Sequence, residues 1–247
     1  MREERVQSES TTREPELHLS IIVPVLNEER VIAETLAGLN FWMGNSGVEI
    51  IIVDGGSHDR TLEEVRRHGS VRIVEYGRAS RGLQMNAGAA VARGDVLLFL
   101  HADVRLPQSA VESIVRALPD GRIVAGCFQI HFPPDAPFSL QVNECGINLR
   151  TRLFHSATGD QAIFVRRPAF ETVGGYQDLP LMEDIVFFNE IKKIGRVVVL
   201  DDQVAVSPRR WLKHGVWRTM FLMYALRLGY WVGVSPATLK RFFIDVR

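Results

Sequence analysis

Cysteine is nearly absent: Cys127 and Cys145 are the only two in 247 residues, and they fit neither a zinc site nor a disulfide framework. Buried free thiols in a reducing compartment are therefore expected. An excess of one charge is absent too. Lys plus Arg and Asp plus Glu number 29 each, so no basic field points to nucleic acid as a partner. Long uninterrupted apolar runs are missing. The richest stretch, 211–234, contains Lys213, Arg218 and Arg227. In a membrane-spanning helix each central arginine would cost ~2.5 to 3.5 kcal/mol, so the stretch reads as a surface or core helix. The first residues mix Arg, Glu, Ser and Thr without an apolar core, which excludes an ordinary secretory signal and predicts a disordered leader over 1–17. The expected location is the cytoplasm. No glycine-rich fingerprint follows the first apolar run, which argues against dinucleotide and P-loop enzymes.

What is present is a core and a rhythm. Hydrophobic residues make up 46% of the chain, enough for one large domain. Residues 94–103 (GDVLLFLHAD) contain a short, continuously apolar run after turn-forming Gly94 and Asp95, the pattern of a strand buried on both faces of a parallel sheet. Similar runs predict strands at 19–26, 48–53 and 71–76, with helices expected from 27 to about 41, 60–68 and 80–92. This alternation predicts an α/β fold with a mostly parallel central sheet flanked by helices. Beyond 103 the pattern becomes mixed, with helices expected at 108–118, 138–154 and 183–194 and strands at 122–132, 162–166 and 196–200. The expected organisation is one domain over 18–208, divided at 104/105, with a helical basic segment over 209–247 packed on it.

Several polar groups stand where open α/β sheets bind ligands, at strand carboxyl ends. His101 and Asp103 lie two residues apart after the central run, so both can face one ligand, and an imidazole with a carboxylate could hold a divalent cation. A polar strand end turning into Pro107 is the plain alternative. Asn27 and Glu28 could open a helix, and Ser57 or Asp59 could cap one; Asp54 is least easily explained by capping. Glu183 and Asp184 could complement a helix N-terminus. From 209 onward Arg209, Arg210, Lys213, Arg218, Arg227, Lys240, Arg241 and Arg247 face Asp245 alone, an excess suited to a diphosphate or an anionic membrane surface.

Taken in order, Pro24, Asn27 and Glu28, then Asp54 with Ser57, Asp59 and Thr61, then Asn86 with Gly88, and then 94–103 resemble the family 2 glycosyltransferases of the GT-A fold. Within them the set resembles a bacterial subgroup tied to arsenosugar biosynthesis and radical-SAM enzymes. The resemblance covers about 19–234. It implies that Pro24, Asn27, Glu28 and Asp54 flank a uracil and its ribose, with Ser57 alongside, and that Arg81, Asn86 and the glycines near them close over the nucleotide. It implies that His101, Ala102 and Asp103 take the place of the Asp-x-Asp motif, with His101 where the first Asp is usual. Asp103 would then bind Mn²⁺ or Mg²⁺, with His101 and His214 as further ligands.

The same resemblance implies that Glu183 and Asp184 match the Glu-Asp element in which the Asp is the general base, and that Asp160 and Gln161 contact acceptor and donor sugar. Ser207, Pro208, Arg209, Arg210 and Trp211 resemble the Gln-x-x-Arg-Trp element of processive members, with Ser for Gln, which argues against a processive synthase. Arg210 would reach the diphosphate and Trp211 a sugar. The function implied is an inverting, metal-dependent transfer from a nucleotide sugar, foremost a UDP-sugar, to a small or lipid-linked acceptor, with peripheral contact at the inner membrane surface through the C-terminal segment. A non-catalytic nucleotide-sugar binder and a peripheral membrane module are the competing readings.

Overall fold

The computed structural model describes residues 18–45 and 47–243. The expected leader over 1–17, and Asp245 and Arg247 of the basic tail, lie outside the described residues. The first half alternates β1 (Leu19–Val25), α1 (Ile32–Leu39), β2 (Val48–Asp54), α2 (Thr61–Arg67), β3 (Arg72–Glu75), α3 (Arg81–Val91) and β4 (Val96–Phe99). The second half continues with β5 (Val104–Arg105), α4 (Ala110–Ala117), β6 (Ile123–His131), α5 (Phe138–Phe154), β7 (Ile163–Arg166), α6 (Arg167–Thr172), α7 (Glu183–Ile194) and β8 (Arg196–Val206). The short α8 (Arg209–His214), α9 (Val216–Trp231) and α10 (Pro236–Lys240) follow.

One eight-stranded sheet runs in the order β3-β2-β1-β4-β7-β6-β8-β5. Its first four strands are parallel, as β-α-β crossovers require, and β7 joins antiparallel to β4. The chain grows outward from β1 in one direction through β2 and β3, and β4 lies on the other side of β1. This reversal opens a crevice beyond the carboxyl ends of β1 and β4. Every residue of β4 is buried, and its alternating side chains serve two cores. Val96 and Leu98 join Ile21, Trp42 and Phe128 on one face, and Leu97 and Phe99 join Ile22, Tyr176 and Phe187 on the other. On that second face Tyr176 stacks on Phe187 at 4.1 Å between ring centroids and meets Phe99 edge-on at 4.9 Å.

The helix expected from residue 27 begins only at Ile32. Asn27 adopts φ 53°, a left-handed conformation that turns the chain before any helix can start. The last strand reaches Val206 rather than 200, because β6 pairs with it from Arg196 through Ala205. The polar run Asp201, Asp202, Gln203 hides that extension in the sequence. Cys145 is exposed on α5, against the expectation of two buried thiols, while burial pushes the Cys127 thiol up to about 12. No described helix is long and apolar enough to cross a membrane.

Helix α3 lies flat on the sheet because Gly88 lets it; a Cβ there would sit 2.9 Å from Val53 Cγ2 and would overlap Ile22. From the same helix, Gln84 donates from Nε2 to Val25 O at 2.8 Å and Val53 O at 2.9 Å, joining the ends of β1 and β2. Replacing Gln84 with Met keeps the bulk and removes both bonds, at about 0.5–1.5 kcal/mol each, while Val25 O keeps the Gly55 N–H at 2.9 Å. The expected outcome is a fall in unfolding free energy of about 1–3 kcal/mol, read from urea denaturation.

Candidate active site

Loops after β1 and β2 are sewn together by the residues that the sequence marked. Asn27 N donates to Ser57 Oγ at 2.9 Å, His58 N donates to Asn27 Oδ1 at 2.9 Å, Glu28 N donates to Thr61 Oγ1 at 2.8 Å, and Glu29 N donates to Asp59 Oδ2 at 3.1 Å. Asp54 is 2% exposed and turned into its own loop, accepting from Gly56 N at 2.9 Å, Ser57 N at 3.0 Å and Ser57 Oγ at 2.5 Å. Asp54, Asn27 and Ser57, expected to flank a base, do not line the cleft described below; their polar atoms bond within the loops. Asn86 is likewise diverted, donating to Tyr176 O and accepting from Tyr176 N, both at 2.8 Å. Gln161, fully buried, accepts from Thr158 N at 3.1 Å and donates to Phe128 O at 3.1 Å. It braces the 159–161 turn and contacts no ligand space.

The remaining marked residues do converge. A cleft of about 1540 Å³, counting its open mouth, is lined by Pro24 and Glu28 from the first loop, His101, Ala102 and Asp103 after β4, and Asp160, Glu183 and Asp184 from the second half. Arg81, Arg209, Arg210 and Trp211 close it. The loop after β4 is held from outside by Thr35 Oγ1, which donates to Ala102 O, and by Ser207 N, which donates to Asp103 O at 3.1 Å. Trp211 is 9% exposed and meets Phe132 edge-on at 6.1 Å, so it is a core aromatic that reaches the wall. Arg210 lies over the Phe243 ring at 5.1 Å, and Arg209 pairs with Glu28 at 3.6 Å across the mouth.

Electrostatics distinguish the acids. Glu183, 3% exposed, is paired with Arg81 at 3.0 Å. Asp184 accepts from Gly159 N at 2.6 Å and from its own-turn Ile185 N at 2.8 Å. Burial, then the neighbouring Glu183 charge, push the Asp184 carboxyl up to about 6 despite those hydrogen bonds. An acid so tuned can take a proton near neutral pH. Asp103 is the opposite case: its carboxylate makes no hydrogen bond or ion pair with a described residue, leaving its lone pairs for a cation. Among the described residues no group of three or more His, Cys, Asp or Glu gathers closely enough to hold a metal. His214 is not in the cleft wall, so the expected trio with His101 and Asp103 does not assemble; a cation here would rest on Asp103, beside His101, and on the ligand's own oxygens.

Sequence reasoning passed over Arg150 entirely, saw Arg227 only as tail charge, and gave Gly159 no role of its own within the 159–161 loop. Nothing local marks Gly159, yet it couples the two halves, because its N–H holds Asp184 and a Cβ on it would overlap the His101 imidazole. Gly159→Ala is expected to displace the His101 ring, visible as shifted imidazole resonances, and to lower stability by about 1–3 kcal/mol as overpacking does.

Comparison with known proteins agrees with this architecture. Residues 20–172 match the family model "Glycosyl transferase family 2". An undecaprenyl-phosphate 4-deoxy-4-formamido-L-arabinose transferase of Aeromonas hydrophila is 29% identical over 119 residues, covering 44% of this chain and 36% of that protein. The mannosyltransferase PcManGT of Pyrobaculum calidifontis, solved with GDP-Man and Mn²⁺, superposes with a TM-score of 0.67 at 20% identity, covering 92% of this chain and 68% of that one. TarS 1-349 of S. aureus, solved with UDP-GlcNAc, gives a TM-score of 0.63 at 18% identity, covering 77% of this chain and 58% of that one. The chain spans about a third to a half of the length of several curated relatives it matches. With a family match across most of the sheet and a GT-A fold shared with these solved transferases, the chain belongs to glycosyl transferase family 2.

Proposed function

We propose that the protein is an inverting glycosyltransferase that moves a sugar from a nucleotide sugar, foremost a UDP-sugar, to an acceptor hydroxyl. The observation that carries this reading is Asp103 and Asp184 on one cleft, one with uncommitted lone pairs and the other with a raised pKa, contributed by opposite halves of the domain. Pro24 and Glu28 border the donor end, and Arg209 and Arg210 stand where guanidinium groups can pair with diphosphate oxygens. Asp184, oriented by Gly159 N–H and Ile185 N–H, accepts the acceptor proton as the hydroxyl oxygen bonds to the anomeric carbon. The carbon–diphosphate bond breaks on the opposite face, and its electron pair leaves with the diphosphate. Arg81 pairs with Glu183 beside Asp184, and the Glu183 charge is part of what raises the base's pKa. A divalent cation, Mn²⁺ or Mg²⁺, would be held by Asp103 with His101 beside it, and when bound it neutralises the charge of the departing diphosphate. The UDP-GlcNAc and the GDP-Man with Mn²⁺ in the solved neighbours support a nucleotide-sugar donor. The arsenosugar subgroup remains part of this proposal, on the ordered motifs alone.

The acceptor favoured is lipid-linked and reached from an anionic membrane surface. Helix α9 presents Trp217, Phe221, Tyr224, Leu228 and Trp231 at helical spacing, all at least 41% exposed, and exposed Leu149 and Leu153 lie on α5. Lys213, Arg218 and Arg241 are exposed near that row in the chain, so aromatic and basic side chains occur together as in interfacial helices. The relative from Aeromonas hydrophila, named for an undecaprenyl-phosphate acceptor, supports the same choice.

Calorimetry with UDP and Mn²⁺ is expected to show binding that Asp103→Ala weakens at least tenfold; unchanged binding in that variant overturns the donor assignment. Asp184→Asn is expected to lower kcat by about 10²–10⁴ with UDP binding retained. The rate falls as pH drops through about 6, where Asp184 protonates. Because its folded-state pKa lies above the ordinary 3.8, protonation there favours the folded state, so circular dichroism should show the fold persisting while activity is lost. In flotation with phosphatidylglycerol vesicles the protein is expected to co-migrate, and Phe221→Ser with Trp231→Ser to remain behind; indifference to vesicles removes the membrane reading.

A further inference from the structure

Two cations in the cleft lack the partners the others have. Arg81 pairs with Glu183, Arg209 with Glu28, and Arg210 lies over Phe243. Arg150 of α5 and Arg227 of α9 line the same cleft and form no ion pair with a described residue. Arg227 is 7% exposed, and its Nη2 donates to Ser156 Oγ. The Nε of Arg227 and the Nε of Arg150 are both buried without a hydrogen-bond partner. Guanidinium groups do not shed their proton to escape burial, so each orphaned N–H is an unmet demand for an acceptor.

The surroundings do not meet it. Burial and the charge of Arg150 pull the Arg227 pKa down to about 10, while Asp184, Asp160 and Tyr224 act in the opposite direction. Arg150 is lowered by burial and supported by Asp160, Tyr224, Asp184 and Cys127. Lys192 of α7 also feels Arg227 as a repelling neighbour. Like charges held together in a partly desolvated wall, with two N–H groups unused, form a receptor for an anion. Both arginines belong to the wall shared with Asp160 and Asp184, and both interact electrostatically with those two acids, so the anion they await lies beside the general base.

We propose that Arg150 and Arg227 form a subsite for a phosphate group carried by the acceptor, placed so that its reacting hydroxyl meets Asp184. Two guanidinium charges match a dianionic phosphate monoester better than a singly charged carboxylate, and the paired N–H edges of guanidinium suit phosphate oxygens. Tyr224 lines the cleft and also stands in the exposed apolar row of α9, so a tail attached to that phosphate has an apolar path outward. The inference rests on the transferase reading above and specifies its acceptor.

The test uses metal-free protein titrated with glycerol 1-phosphate in one arm and decyl phosphate in the other, with decanol as control. Wild type is expected to bind at least one phosphate, with UDP and Mn²⁺ failing to displace it; tighter binding of decyl phosphate identifies a lipid source, and of glycerol 1-phosphate a soluble one. Arg227→Met and, separately, Arg150→Gln are expected to weaken that binding at least tenfold, leave UDP binding within twofold, and leave the melting temperature unchanged or higher, since each relieves buried like-charge repulsion. The subsite is overturned if neither phosphate binds wild type, if UDP displaces the probe, or if the variants lose UDP and phosphate together. Absence of UDP binding in wild type would instead sink the transferase reading, whatever the phosphate arms report.

Discussion

One glycine sits between the general-base candidate and the loop after β4. Gly159 N–H reaches the Asp184 carboxylate at 2.6 Å, and the His101 imidazole occupies the space that any side chain at residue 159 would need. The acid-bearing helix α7, the 159–161 turn and the loop after β4 are thus in mutual contact although they are far apart in the chain. If this contact loosened, Asp184 would lose its orientation and the loop carrying Asp103 would lose one wall. An ionised carboxylate accepting two backbone N–H groups would ordinarily titrate low. Here burial and Glu183 outweigh them, and the carboxyl sits near 6.

Around that contact the sheet supplies a crevice and the loops supply its rim. The parallel order β3-β2-β1-β4 sends the chain to both sides of β1 and exposes strand carboxyl ends where two loops diverge. The loops after β1 and β2 are then braced by a dense set of side chain to backbone hydrogen bonds, from Asp54 through Ser57 to Asn27 and from Thr61 to Glu28. Asp54 acts on the cleft at one remove, because the loop it shapes places Glu28 beside the mouth. Gln84 and Asn86 do the same from α3, one binding the ends of β1 and β2, the other binding the Tyr176 backbone.

The distribution of charge in the cleft is uneven by construction. Acids in the cleft wall are accompanied by more buried cations than they pair with, and the excess sits on α5 and α9, the helices whose outward faces carry exposed aromatic and aliphatic residues. Charged groups directed inward and apolar groups directed outward on the same helices are a reversal of the usual arrangement for a water-soluble surface. Both halves of that reversal suit the amphiphilic acceptor proposed above.

Local pattern alone determined the buried strands and most helices, because a strand enclosed on both faces must be apolar throughout and 96–99 is. It also determined that Asp103 and Asp184 stand at a strand end and a helix start, positions set by short-range turns. Tertiary structure alone decided which polar residues face the cleft. Asn27, Ser57, Asn86 and Gln161 look no different in sequence from Asp103 and Glu28, but each bonds a backbone group brought close by folding, while Asp54 is spent on its own loop. Hydrogen bonds between segments 30 or more residues apart leave no trace in local composition, and neither does the convergence of Arg150 with Arg227. Chain pattern reports burial one residue at a time, whereas a site depends on which lone pairs and N–H groups are left over once the packing is complete.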